Sequence, residues 1–171
     1  MAIYYSIQTK EAYNDALLKG YLEGNRKYID DFFINSYHWI MKQMNKRLVN
    51  YNTEYPIWLW SKKTIIENGV YEKDTEWVLL KIFIDDKDVL LSDFMSWHCV
   101  LNNIMLPINK NEEDIKDKNI IQKSWERIFD INMLKNNEYI LENISDVDEI
   151  QGVTGRIKIN DIKMIKNFVV R

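Results

Sequence analysis

Hydrophobic and polar positions recur along this chain in several registers, and each register predicts an element. Residues 3–8 (IYYSIQ) favour extended backbone and predict a short strand. Thr9 stands where a helix cap is wanted, and Ala12, Tyr13, Ala16 and Leu17 follow on one helical face. Gly20 sits where a left-handed residue would end that helix. The clearest helical stripe runs from about Arg26 to Arg47, through Ile29, Phe32, Phe33, Tyr37, Ile40, Met41, Met44 and Leu48. Trp39 lies off the stripe, either packed under a neighbouring loop or kept for a ligand.

Residues 56–60, within YPIWLW, predict a second strand with Trp58 and Trp60 on one face. Residues 61–75 are polar and contain Asn68-Gly69, which predicts a turn or loop. The near-continuous run EWVLLKIFI (76–84) predicts a central strand covered on both faces. After a turn at 85–88 and an extended piece at 89–91, Ser92 can cap a helix reaching Asn102, with Asp93 favourable at its positive end. A charged loop spans 109–119, and helical spacing resumes through Ile121, Trp125, Ile128 and Phe129. Residues 130–149 fit no single pattern. Two final strands are expected at 150–157 and 162–169, broken at Asn160-Asp161. Strands at the start, middle and end with helices between them make an α+β pattern.

The 171 residues suit one domain spanning 1–171, and 46% hydrophobic content with 5 Gly and 2 Pro excludes a disordered or linker-like chain. A net charge of −3, with lysines scattered among acids, gives no nucleic-acid footprint. Cys99 is the sole cysteine, so no internal disulfide can form. His38 and His98 lack partners at metal-binding spacing, so no metal is expected. No basic leader or apolar run of about 20 residues is seen, which points to a cytoplasmic protein with no membrane contact. Six Trp and ten Tyr supply aromatic walls as well as core.

YPIWLW (55–60), LLSDFMSWHCVLN (90–102), SWERIFD (124–130) and IQGVTGRIKINDIKMIKNF (150–168) together resemble the bacterial family known as domain of unknown function 3841. IYYSIQ and SYHWIMKQM (36–44) fit the same pattern, with Ser6 where relatives often carry Thr. That family implies no agreed activity. The order of elements also resembles ADP-ribosyltransferase folds, with a mixed or antiparallel β core and flanking helices. The pieces are YYSIQT, Gly20-Tyr21-Leu22 after the first helix, Pro56-Ile57-Trp58, EWVLLKIFIDDKDVLLSD, and EIQGVTGRIKINDIKMI.

That second resemblance implies an NAD-binding domain, transferring ADP-ribose to a macromolecule or small molecule. Catalysis would fall to Glu149 or Gln151, two positions apart on one side of a strand. Gln in the second place can hydrogen-bond a ribose hydroxyl but carries no charge and cannot act as a base. Ser6 and Gln8 share a face of the first strand, where the fold positions the nucleotide. Trp58, Trp60 and Trp97 would wall the pocket, with Asp93 and His98 at its rim. The plainer readings are a helix cap at Ser92 and Asp93, a core Trp97, and internal hydrogen bonds for the glutamines. A hydrolase built from Ser92 or Ser96 with His98 lacks the usual nucleophile elbow. A binding module without turnover and a protein-interaction or anti-defence factor with an aromatic surface remain as rivals.

Overall fold

The computed structural model describes residues 1–51, 55–63 and 71–170. Its described residues form an α+β protein with an antiparallel sheet, and their contacts divide into two compact units. The first comprises Met1–Tyr28, Met41–Leu90 and Gly152–Arg171; the second comprises Ile29–Ile40 and Leu91–Gln151.

In the first unit, β1 (Ala2–Thr9) leads into α1 (Lys10–Lys19). The Thr9 hydroxyl accepts the Ala12 N–H at 3.1 Å, and Gly20, at φ 83°, closes the helix through its own N–H to Ala16. Both ends are set by local chemistry, a cap oxygen and a residue without Cβ. Next come β2 (Tyr21–Leu22), β3 (Ile57–Trp60) and β4 (Glu76–Ile84). The remaining strands are β5 (Leu90–Asp93), β6 (Ile150–Thr154), β7 (Ile157–Lys158) and β8 (Ile162–Val169). The unit's sheet has the order β6-β3-β1-β4-β8, and β2 pairs antiparallel with β7. Gly24 passes so close to Pro56 that an added Cβ would stand 2.5 Å from its carbonyl oxygen.

Period-two alternation divides the sheet into two unlike faces. Tyr4, Ser6, Ile57, Leu59, Val78, Leu80 and Ile82 are all buried on one face. The other carries Tyr5, Ile7, Trp58, Trp60, Trp77, Lys81 and Phe83, all half-buried, with only Leu79 sealed. The expectation that β4 is covered on both faces is therefore corrected: its continuous hydrophobicity serves a core face and an aromatic face.

The single 26–47 helix is also corrected. Short 3-10 turns occupy Arg26–Tyr28 and Asp31–Phe33, and the regular helix α2 covers only Ile34–Arg47. Asp30 takes the Phe32 N–H at 2.8 Å on extended backbone, and this local turn competes with continuous helix. The expected turn at Asn68-Gly69 lies outside the described residues. The last segment breaks earlier than expected, since β6 stops at Thr154 and Ile157 opens β7.

In the second unit, α3 (Phe94–Leu101) follows β5. Then come α4 (Lys118–Ser124), a 3-10 turn at Trp125–Phe129, α5 (Ile131–Lys135) and α6 (Glu138–Asn143). Val100, Leu106, Ile128, Leu134 and Ile140 are sealed in its core. Trp39 settles against this core, stacked on Phe129 at 5.8 Å and edge-on to Trp125 at 5.6 Å. Arg127 bonds both carboxylate oxygens of Glu112, at 2.5 and 3.1 Å, and also the Leu106 carbonyl. No helix among the described residues is long and apolar enough to cross a membrane.

Candidate functional site

Four of the expected ligand residues lie on the first unit's sheet, and the sheet separates them. Tyr5 pairs directly with Trp60, so Trp60, and Trp58 two positions before it, share the face of Tyr5. Ser6 and Gln8 point to the opposite face. There the Ser6 hydroxyl donates to the Trp58 carbonyl at 2.8 Å, and Gln8 Nε2 donates to Ser6 Oγ at 2.8 Å. Ser6 and Gln8 are thus brought together, as are Trp58 and Trp60. A single pocket holding Gln8 between the two tryptophans is not formed.

The other five residues lie in the second unit, around the start of α3. Asp93, not Ser92, caps this helix: Oδ2 accepts the Ser96 N–H at 2.8 Å. Its Oδ1 accepts the Ser145 hydroxyl at 3.0 Å, and Ser145 Oγ accepts the Val147 N–H at 3.0 Å. The Phe94 N–H completes the tie with a 2.9 Å bond to the Glu149 carbonyl. Val147 is sealed at φ 56°, a left-handed conformation that a β-branched residue adopts only under tertiary compulsion. Asp93 is thus a buried anchor of the 145–149 segment instead of a pocket rim.

Trp97 is buried and packs edge-on against Tyr37 at 6.3 Å, which makes it core. His98 is half-buried, with Nδ1 3.0 Å from the Phe94 carbonyl and its ring edge-on to Phe94 at 4.8 Å. A carbonyl only accepts, so Nδ1 carries the proton and Nε2 is the acceptor of the neutral ring. Cys99 is sealed nearby; burial first, and the Asp93 charge second, push its thiol up to about 11.

Glu149 and Gln151 differ sharply despite their spacing. The Glu149 side chain is exposed. Gln151 is 4% exposed, and its Nε2 is a buried donor with no hydrogen-bond partner. Ser96 Oγ, fully buried on α3, is the other unpartnered atom of this kind among the described residues. A shallow groove of about 580 Å³ runs past Glu149, between Met95 and Leu141. Its carboxylates are Glu142, Asp146, Asp148 and Glu149, and no basic side chain lines it among the described residues. Such a groove attracts positive charge and repels phosphate. No group of three or more His, Cys, Asp or Glu side chains among the described residues could hold a metal.

Ser145 and Val147 were not singled out by sequence, and Ser96 was considered only as a hydrolase nucleophile beside His98. A Ser-Asp-Val-Asp run reads as an ordinary turn, and only the fold brings Ser145 to Asp93. A family model described as Domain of unknown function (DUF3841) matches residues 3–120. No curated protein and no solved structure matches the chain significantly.

Proposed function

The chain belongs to the DUF3841 family, whose description assigns no reaction, and we propose that it is a nucleotide-binding module with an ADP-ribosyltransferase-like order of elements, taking NAD or a related nucleotide. The observation that carries this reading is the buried, unpartnered Nε2 of Gln151. A buried donor without an acceptor costs about 1–3 kcal/mol, and a ribose hydroxyl would offset that cost by accepting from it. The order of elements supports the same reading. Strand β1, α1 with its Gly20 stop, β3, β4, β5 and β6 follow one another in the chain order on which that resemblance rests.

The acidic groove beside Glu149 favours the cationic nicotinamide end of the dinucleotide over its pyrophosphate. Glu149 also favours a second reading, transfer of ADP-ribose. Its exposed carboxylate, two positions from Gln151, could stabilise the positive charge that grows on the ribose as nicotinamide leaves with the bonding electrons. Gln151 serves binding in either reading, because an amide neither takes a proton as a base nor carries charge.

Thermal unfolding with millimolar NAD, nicotinamide mononucleotide and ADP-ribose in separate samples tests the binding. A ligand at about a hundredfold over its Kd adds roughly 2.7 kcal/mol, which raises the Tm of a domain this size by about 5–10 °C. NAD and the mononucleotide should each produce that shift, and ADP-ribose, lacking the cationic ring, a smaller one. Absence of any shift with NAD overturns the proposal. Release of nicotinamide by the wild type and not by Glu149→Gln would establish cleavage of the nicotinamide–ribose bond, and ADP-ribose bonded to an acceptor other than water would establish transfer.

A further inference from the structure

The half-exposed face of the first unit's sheet is the strongest unassigned feature of the molecule. Registers across β3, β1, β4 and β8 arrange its side chains in rows about 7 Å apart, two residues of strand each. One row runs Trp60, Tyr5, Lys81, Lys163; the next runs Ile7, Leu79, Lys166. A third runs Thr9, Trp77, Phe168, and Ile3 with Phe83 forms the row at the other end. A bulge at Ile165 lets Lys163 and Lys166 share this face although they are three residues apart.

Lysine and aromatic side chains are interleaved here. Lys81 Nζ stands 5.3 Å from the Phe83 ring centre, and Lys166 Nζ stands 6.0 Å from that of Phe168. Lys81 lies directly opposite Lys163, a like-charge pair that by itself destabilises a sheet. The paired strand residues of this face include no carboxylate. Asp85, just beyond Phe83, takes the Met1 amino group at 3.2 Å. The chain-wide charge of −3 does not reveal this local cluster of lysines.

We infer that this face binds single-stranded nucleic acid. Unpaired bases stack on sheet-borne aromatic rings at about 1–3 kcal/mol each whatever their sequence, and phosphates answer the Lys81, Lys163 and Lys166 cluster. A duplex hides its base faces and presents phosphates alone, so it meets only half of the surface. The face lies within the first unit, and its ligand is independent of the NAD reading.

The test is fluorescence anisotropy of a labelled twelve-residue oligothymidylate with the full chain at 50–200 mM salt. Saturable binding is expected, with quenching of tryptophan fluorescence and a salt slope of about −2 for three lysine contacts, at roughly 0.7 per phosphate. Lys163→Glu/Lys166→Glu changes two exposed side chains and should weaken binding at least tenfold without lowering Tm, since it removes the like-charge pair with Lys81, and without changing any NAD-induced shift. A thymidylate–adenylate duplex of the same length should bind at least tenfold more weakly. No saturable binding, indifference to the double substitution, or equal affinity for the duplex would each overturn the proposal.

Discussion

Tyr5 of β1 lies directly opposite Trp60 of β3, and this pairing decides which residues can share a ligand. It turns Trp58 and Trp60 to the half-exposed face and leaves Ser6 and Gln8 on the face of the buried core. Ser6 is 1% exposed and holds two strands together through Trp58 O and Gln8 Nε2. Ser6→Ala should therefore act as a structural change. Loss of a buried hydroxyl that serves two partners should cost about 1–3 kcal/mol in urea unfolding. The affinity for NAD, measured on the still-folded protein, should stay within twofold. A tenfold loss of affinity without loss of stability would show that Ser6 touches the ligand.

Gln151 should behave in the opposite way. Its amide nitrogen is buried without a partner, so the unliganded protein carries a cost that an apolar side chain of similar shape would remove. Gln151→Met is expected to leave stability unchanged or raise it by about 1 kcal/mol, and to abolish the NAD-induced shift in Tm. A substitution that stabilises the protein while removing binding separates a ligand-binding residue from a structural one. Marked destabilisation by Gln151→Met would assign the amide to the fold instead.

The elements that were legible in the sequence are those fixed by neighbours in the chain. Thr9 and Gly20 bracket α1 because a cap hydroxyl and a left-handed glycine act within four residues. Trp58 and Trp60 share a face because strand side chains repeat every second position. Which face they share was not legible, since it depends on the pairing of β1 with β3, across about fifty residues of chain. The cap of α3 was ambiguous for a similar reason. Ser92 and Asp93 can both cap, and Asp93 takes the role while also bonding Ser145 from far along the chain. Val147 gives no local sign of its left-handed backbone, because a β-branched residue adopts it only when the surrounding fold requires it. The candidate site was legible as residues and illegible as an arrangement.

Arg127 and Glu112 should set part of the acid stability. The Arg127 hydrogen bond is the main cause that holds the Glu112 carboxyl below its ordinary value of 4.5; the Ile108 N–H and the guanidinium charge add to it, and burial opposes it. A carboxyl lowered on folding stabilises the protein fully above its unfolded value and loses that contribution as pH falls through the folded one. Glu112→Gln should therefore destabilise by about 2 kcal/mol at pH 7, the order expected of hydrogen bonds to a charged group. The difference from wild type should shrink below pH 4.5, measured by urea unfolding at steps from pH 7 to pH 3. A difference that stays constant with pH would mean that Gln fails for reasons of shape and not charge.

Cys99 offers a direct reading of how firmly Asp93 closes the second unit. Its thiol is 7% exposed and pushed up to about 11, first by burial and then by the Asp93 charge. At pH 7.5 only about one molecule in three thousand then carries a thiolate in the folded state, so labelling by Ellman's reagent must wait for opening. Asp93→Ala removes a helix cap worth about 1 kcal/mol and leaves the buried Ser145 hydroxyl without its acceptor, a further 1–3 kcal/mol. When opening and closing are fast beside the labelling reaction, about 3 kcal/mol raises the labelling rate more than a hundredfold. Asp93→Asn keeps the cap, its one oxygen accepting the Ser96 N–H while its Nδ2 can donate to Ser145 Oγ, and should raise it far less. Equal acceleration by the two substitutions would show that the charge of Asp93, and not its hydrogen bonds to Ser96 and Ser145, holds the segment in place.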